Sequence, residues 1–178
     1  MMNAGEVMTP PPIPQTIKNK PMTQAQKKTK APATIRQFKI TKVNEAQEFE
    51  QVKITSSETA YNFMRQFWYD DIEVYESFFV LLLNRNNVTI GWAKISQGGV
   101  TGTVADPKMI LKYALDSLAC GVILAHNHPS GNLQTSQADD EITNKIKQGL
   151  KFIDCNLFDH IILTPSNGYY SYADEGRL

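Results

Sequence analysis

Apolar and polar positions along this chain change period several times, and each change predicts an element. Phe38 and Ile40, then Val52 and Ile54, alternate with polar neighbours and read as short strands. Thr55-Ser56-Ser57-Glu58 has the spacing of a capping box. Behind it Ala60, Phe63, Met64, Phe67 and Trp68 recur at helical spacing, which predicts a helix over about 57–68 whose aromatic stripe is core. Asp70-Asp71-Ile72-Glu73 then reads as a solvated acidic loop. The unbroken run Phe78-Phe79-Val80-Leu81-Leu82-Leu83 suits a central strand covered on both faces. A turn over 84–87 makes residues 88–96 its hairpin partner, and 101–104 form another short extended piece. Asp106-Pro107 starts a helix, with Asp as N-cap and Pro at the first helical position. Ile110, Leu111, Ala114, Leu115 and Leu118 would line one face of it.

The second half repeats this grammar. Gly121-Val122-Ile123-Leu124-Ala125 is a buried strand, and Pro129-Ser130-Gly131 turns the chain after it. Ser136 opens a long helix with Ala138, Ile142, Ile146 and Leu150 on one stripe. Residues 159–163 and 169–173 form the last strands, joined by a turn at 165–168. Mixed strands and helices with hairpins give an α/β or α+β domain over residues 37–178.

Composition adds a leader of a different kind. Residues 1–36 hold six of the nine prolines and almost no large apolar side chains, so they are expected to form a disordered tail. Lys18, Lys20, Lys27, Lys28, Lys30 and Arg36 oppose Glu6 alone there, although the whole chain is neutral. That neutrality argues against a nucleic-acid or membrane partner, with the basic tail the one place for loose nucleic-acid contact. Cys120 and Cys155 sit among apolar neighbours and read as reduced, buried thiols. No apolar run approaches a membrane span and no leader peptide is evident, so a soluble, cytoplasmic protein is expected. Nothing in the pattern points to an oligomeric state.

The candidate chemistry is concentrated in one stretch. Of three histidines, His126 and His128 lie two residues apart at the end of the strand 121–125, where residues i and i+2 face one side. Seven residues separate His128 from Ser136, and Asp139 and Asp140 lie in the next helix's first turn. Two imidazoles and one carboxylate, with a fourth position open, form the ligand set of a catalytic zinc. Ser136 and Asp139 also satisfy the Ser-x-x-Asp spacing of a helix cap, which needs no metal and is compatible with one. Asp140 competes with Asp139 as the carboxylate ligand.

The spacing His-x-His, seven residues, Ser, two residues, Asp, with a Glu upstream, resembles the signature of the JAB/MPN (JAMM) metalloproteases. The surrounding text, Ala-His-Asn-His-Pro-Ser-Gly, Asp-His-Ile-Ile and Tyr-Ser-Tyr-Ala-Asp-Glu-Gly, is similar to the RadC branch, which carries a traditional DNA-repair label. The resemblance covers about residues 50–178 and implies the JAB/MPN (cytidine-deaminase-like) fold, a curved mixed sheet flanked by helices. It implies Zn2+ on His126, His128 and Asp139, and it selects Asp139 over Asp140. It makes Glu76, at the start of the strand leading into the apolar run, the general base, with Glu73 as the alternative. On this reading zinc activates a water, Glu76 moves its proton to the leaving amine, and Ser136 donates to the oxyanion. His160, preceded by Asp159, is a candidate supporting group, with a core-facing polar residue as the simpler reading.

The implied activity is a zinc metallohydrolase cleaving a peptide or isopeptide bond in a peptide or protein substrate. Two departures narrow it. Asn127 stands where the deubiquitinating members carry Ser or Thr, so ubiquitin-type cleavage is not expected. The helix-hairpin-helix DNA-binding module of many RadC relatives is not expected either, because the Pro/Lys-rich leader is too short for it. The rivals are a non-catalytic MPN-like interaction scaffold and a repair-associated nuclease. The triplet His126-Asn127-His128 spells HNH, but in HNH endonucleases those residues are spread over a ββα metal site.

Overall fold

The computed structural model describes residues 50–68, 71–98, 104–166 and 168–178. The tail over 1–36, the domain boundary at 37, the strand at Phe38 and Ile40, and residues 101–103 lie outside that description. Along the chain come α1 (Ser57–Met64) with a 3-10 turn (Arg65–Phe67), β1 (Ser77–Leu83), β2 (Thr89–Gln97), α2 (Pro107–Ser117) and β3 (Gly121–Asn127). They are followed by α3 (Gln137–Lys151), β4 (Asn156–Leu163) and β5 (Tyr169–Ser171). The five strands make one open sheet in the order β2-β1-β3-β4-β5. Only β3 and β4 run parallel; the other pairs are antiparallel. A parallel pair needs a crossover, and α3 supplies it, which returns the helix's first turn to the carboxyl end of β3.

All seven residues of β1 and all seven of β3 are buried, because helices cover both faces of the sheet. Strand alternation sorts them. Phe79, Leu81, Leu83, Ile123 and Ala125 pack against Phe63, Met64, Phe67 and Trp68 from α1 and its 3-10 turn. Phe78, Val80, Leu82, Val122 and Leu124 pack against Ile110 and Ala114 of α2 and Ile146 and Leu150 of α3. Each fully buried side chain of this size contributes about 1.5–3 kcal/mol, so a charge at Leu124 would break the layer. The same alternation sends His126 to the α2/α3 face and its neighbour Asn127 to the α1 face.

Several expectations need correction. Val52 and Ile54 do not form a strand: Lys53 makes an isolated bridge to Val88, and Ile54 anchors the segment in the core. The cap of α1 is Ser56 rather than Thr55, since Ser56 Oγ accepts the Thr59 N–H. Leu115 and Leu118 are exposed; α2 stops at Ser117 and Leu118 turns left-handed, away from the stripe of Ile110 and Ala114. Ala138 is exposed in the first turn of α3, while Thr143 occupies the buried stripe instead. The acidic loop is not simply solvated. Ile72 is buried, and Asp71 approaches Lys94 at 3.7 Å. Cys155 is buried as expected and burial pushes its thiol up to about 11, whereas Cys120 is half-exposed.

Candidate metal centre

The strand end and the helix start meet at one point. His126 is the penultimate residue of β3, and His128 follows the strand, its N–H donating to Leu163 O at 2.8 Å. The turn after it closes with the Gly131 N–H on His128 O, and Gly131 takes a φ of 78°, which glycine adopts without strain. This turn places Asn132 O at 2.6 Å from His128 Nδ1. A carbonyl only accepts, so Nδ1 carries the proton and His128 Nε2 presents a lone pair.

Asp139 is aimed by the helix cap. Ser136 is the N-cap of α3: its Oγ accepts the Asp139 N–H at 3.1 Å. In return, Asp139 Oδ2 accepts from Ser136 N at 2.8 Å and from Ser136 Oγ at 2.6 Å. One carboxylate oxygen is thereby fixed, and the other, Oδ1, lies 3.3 Å from His126 Nε2. The two Nε2 atoms are 3.0 Å apart. One ligand atom each from His126, His128 and Asp139 all fall within 4.8 Å of one another.

This donor set fits a cation. The edge of a tetrahedron drawn around zinc with nitrogen ligands is about 3.3 Å, close to the two separations made by His126 Nε2, while His128 Nε2 and Asp139 Oδ2 stand wider at 3.9 Å. Burial pushes the His126 pKa down to about 4 against the opposing pull of Asp139, which favours a neutral imidazole beside that carboxylate. A neutral nitrogen, a second imidazole lone pair and a carboxylate oxygen converging on one point repel each other until a positive charge joins them. The His126 side chain is 1% exposed and forms the floor, while His128 and Asp139, at 16% and 14%, leave the outer side open to solvent.

The remaining sequence-selected residues fall around this group. Asp140 is turned away, its oxygens accepting from Tyr172 OH at 2.8 Å and Arg177 Nη2 at 2.6 Å. Glu76 is half-buried directly before β1, two residues from Phe78, which pairs with His126 across the sheet. It stands at the start of the adjacent strand and is not one of the three close ligands. Glu73 is exposed in the preceding turn. Ser136 is beside the site, with its hydroxyl proton directed to Asp139. His160 is fully buried on β4, its Nε2 at 2.8 Å from His126 Nδ1. Tyr172 stacks on the His160 ring and Phe78 on His126.

A family model described as the RadC-like JAB domain matches residues 54–177. The chain belongs to this family. RadC-like JAB domains fall within the JAB/MPN group, which includes metallohydrolases. The chain is similar to UPF0758 proteins from several bacteria. It is 44% identical to that of Flavobacterium johnsoniae over 124 residues, covering 70% of this chain and 53% of the relative. With that of Porphyromonas gingivalis it shares 38% over 125 residues, 70% and 54% of the two chains. With that of Streptococcus sanguinis it shares 36% over 134 residues, 75% and 58%. The chain thus spans about half the length of the curated relatives it matches.

Two residues of this JAB domain's centre carried no usable signal before the fold was known. Thr143 lies four residues after Asp139, on the same helix face, and nothing in its local sequence marks it. Asn127 was notable only as a departure from the Ser or Thr of other members. Its side chain makes four hydrogen bonds on the α1 face: Nδ2 donates to Ile72 O and Tyr75 O, and Oδ1 accepts from Trp68 Nε1 and Ser77 N.

Proposed function

We propose that this domain is a zinc-dependent hydrolase of peptide or isopeptide bonds, acting on a peptide or protein substrate in the cytoplasm. The observation that carries the reading is the convergence of His126 Nε2, His128 Nε2 and an Asp139 oxygen on one partly exposed point. When bound, zinc supplies Lewis acidity, lowering the pKa of a coordinated water and polarising a carbonyl.

The chain's own residues supply the rest. His126, His128 and Asp139 hold the ion, and the open side of the site leaves room for substrate. Glu76 takes the proton from the attacking water and returns it to the leaving amine, as a general base and then acid. Ser136 donates a hydrogen bond to the oxyanion once its hydroxyl rotates away from Asp139 Oδ2. The geometry does not favour a nuclease of the HNH kind, because Asn127 faces the opposite side of the sheet from the two imidazoles.

Metal analysis of the purified chain tests the reading. The expected result is about one zinc per chain, lost in His126→Ala and kept in Glu76→Gln. A peptide library should then be cleaved by the wild type and not by Glu76→Gln. A folded chain that takes up no zinc after supplementation would overturn the proposal in favour of an interaction scaffold. Cleavage of DNA abolished by Glu76→Gln would overturn it in favour of a nuclease.

A further inference from the structure

Behind His126 runs a line of hydrogen bonds whose direction is fixed from its far end. Thr143 Oγ1 lies 2.5 Å from Asp139 O, a backbone carbonyl that can only accept, so the hydroxyl proton of Thr143 points there. Thr143 Oγ1 is also 2.6 Å from His160 Nδ1. Its one proton is already directed elsewhere, so in this second contact the oxygen accepts and His160 Nδ1–H donates. His160 is fully buried, and its ring meets Thr143, His126, Phe78 and Tyr172. No carboxylate is among those partners, and a fully buried imidazole with no acid beside it is held in the singly protonated form. A neutral imidazole has one N–H, so His160 Nε2 is a bare acceptor. It stands 2.8 Å from His126 Nδ1, which must therefore donate. With Nδ1 holding the ring proton, the nitrogen of His126 open to a metal is Nε2, the atom facing His128 and Asp139.

We propose that Thr143 and His160 are positioning residues that set the tautomer of His126, so that its Nε2 is free to ligate a metal. This goes beyond the hydrolase reading by assigning two residues outside the ligand set, and it rests on that reading only for the identity of the metal. The relay starts and ends on one residue: the backbone oxygen of Asp139 orients Thr143, and the Asp139 carboxylate faces the nitrogen whose lone pair results. In the His126 Nε2–H tautomer, a proton would occupy the ligand position and the centre would have to displace it before binding.

Two readouts test the relay on the full chain. The first needs no metal: long-range 1H–15N correlation spectra of histidine-labelled, metal-free protein report which ring nitrogen carries the proton. The wild type is expected to show His126 as Nδ1–H, and Thr143→Val, which removes the hydroxyl at nearly constant shape, is expected to show a mixture. The second is Zn2+ affinity by chelator competition. Substituting His160→Phe should weaken binding roughly 10–100-fold, the usual effect of losing a ligand's outer partner, and Thr143→Val should weaken it less. His160→Gln should retain most of the affinity, since an amide spaces a donor and an acceptor across one carbon as the imidazole does. A His126 Nε2–H tautomer in the wild type would overturn the proposal. So would unchanged zinc affinity in a folded His160→Phe chain. If the wild type binds no zinc, the hydrolase reading falls while the spectra still decide the tautomer.

Discussion

His126 and Asn127 are consecutive, both polar, both buried in the same strand, and they do opposite things. Asn127 faces the aromatic layer under α1, where its two donors and two acceptor positions are all filled by Trp68, Ile72, Tyr75 and Ser77. It ties the turn before β1 to the middle of the sheet and has nothing left over for a ligand. His126 faces the aliphatic layer under α2 and α3, where one ring nitrogen is engaged by His160 and the other is left with a lone pair beside two further ligands. A saturated buried polar group is architecture, and an incompletely saturated one is the place to look for chemistry.

The contrast is broken most severely by truncating the unsaturated side. His126→Ala or Asp139→Ala should abolish zinc uptake with the domain still folded, whereas Asp140→Ala should keep it; metal content against circular dichroism measures both. Zinc lost in Asp140→Ala and kept in Asp139→Ala would reverse the assignment. The saturated side should fail differently. Asn127→Ala strands two donors and two carbonyls, a cost of about 3 kcal/mol or more, read as a fall in the denaturant midpoint. Zinc content per folded chain should change little in this variant. An Asn127→Ala chain with wild-type stability would remove the distinction.

Acid should also act mainly through the histidine face. His126, at about 4, and His160, well below its ordinary 6.5, both regain an ordinary pKa on unfolding. Between those limits the unfolded chain binds more protons, so stability rises with pH. Metal-free protein should therefore lose stability as pH falls from 6.5 towards about 4. Asp159, whose pKa burial raises, opposes this at the acid end. Denaturant midpoints that stay level or rise across that range would contradict the assignment. The smallest effect belongs to Ser136→Ala, which removes a helix cap at a cost of about 1 kcal/mol and frees Asp139 to turn. Its zinc affinity should fall by more than its stability does.

Most of this arrangement is legible in the order of residues. The apolar runs at 78–83 and 121–125 could be nothing but covered strands, and the caps at Asp106 and Ser136 are local chemistry that no tertiary contact overrides. The spacing from His126 to Asp139 survives into space because a short turn and a capped helix leave little freedom between them. What fails is what depends on partners far away in sequence. Thr143 and His160 lie 17 positions apart and meet through a helix-to-strand packing that no periodicity encodes. The loop around Ile72 looks solvated until Asn127, 55 positions later, takes hold of it. Leu118 follows the helical period, but α2 ends at Ser117 before the period can bury it, and Leu115 lies within α2 yet is exposed.

The cap on α3 has one more consequence. Asp139 is pinned by its own serine, His128 by a neighbouring carbonyl and His126 by the strand itself, so the cage is assembled by folding rather than by its guest. Small zinc modules collapse when stripped because the ion is their core. Here two full hydrophobic layers stand without it, and emptying and refilling the centre should be reversible at native temperature, with the protein's shape unchanged throughout.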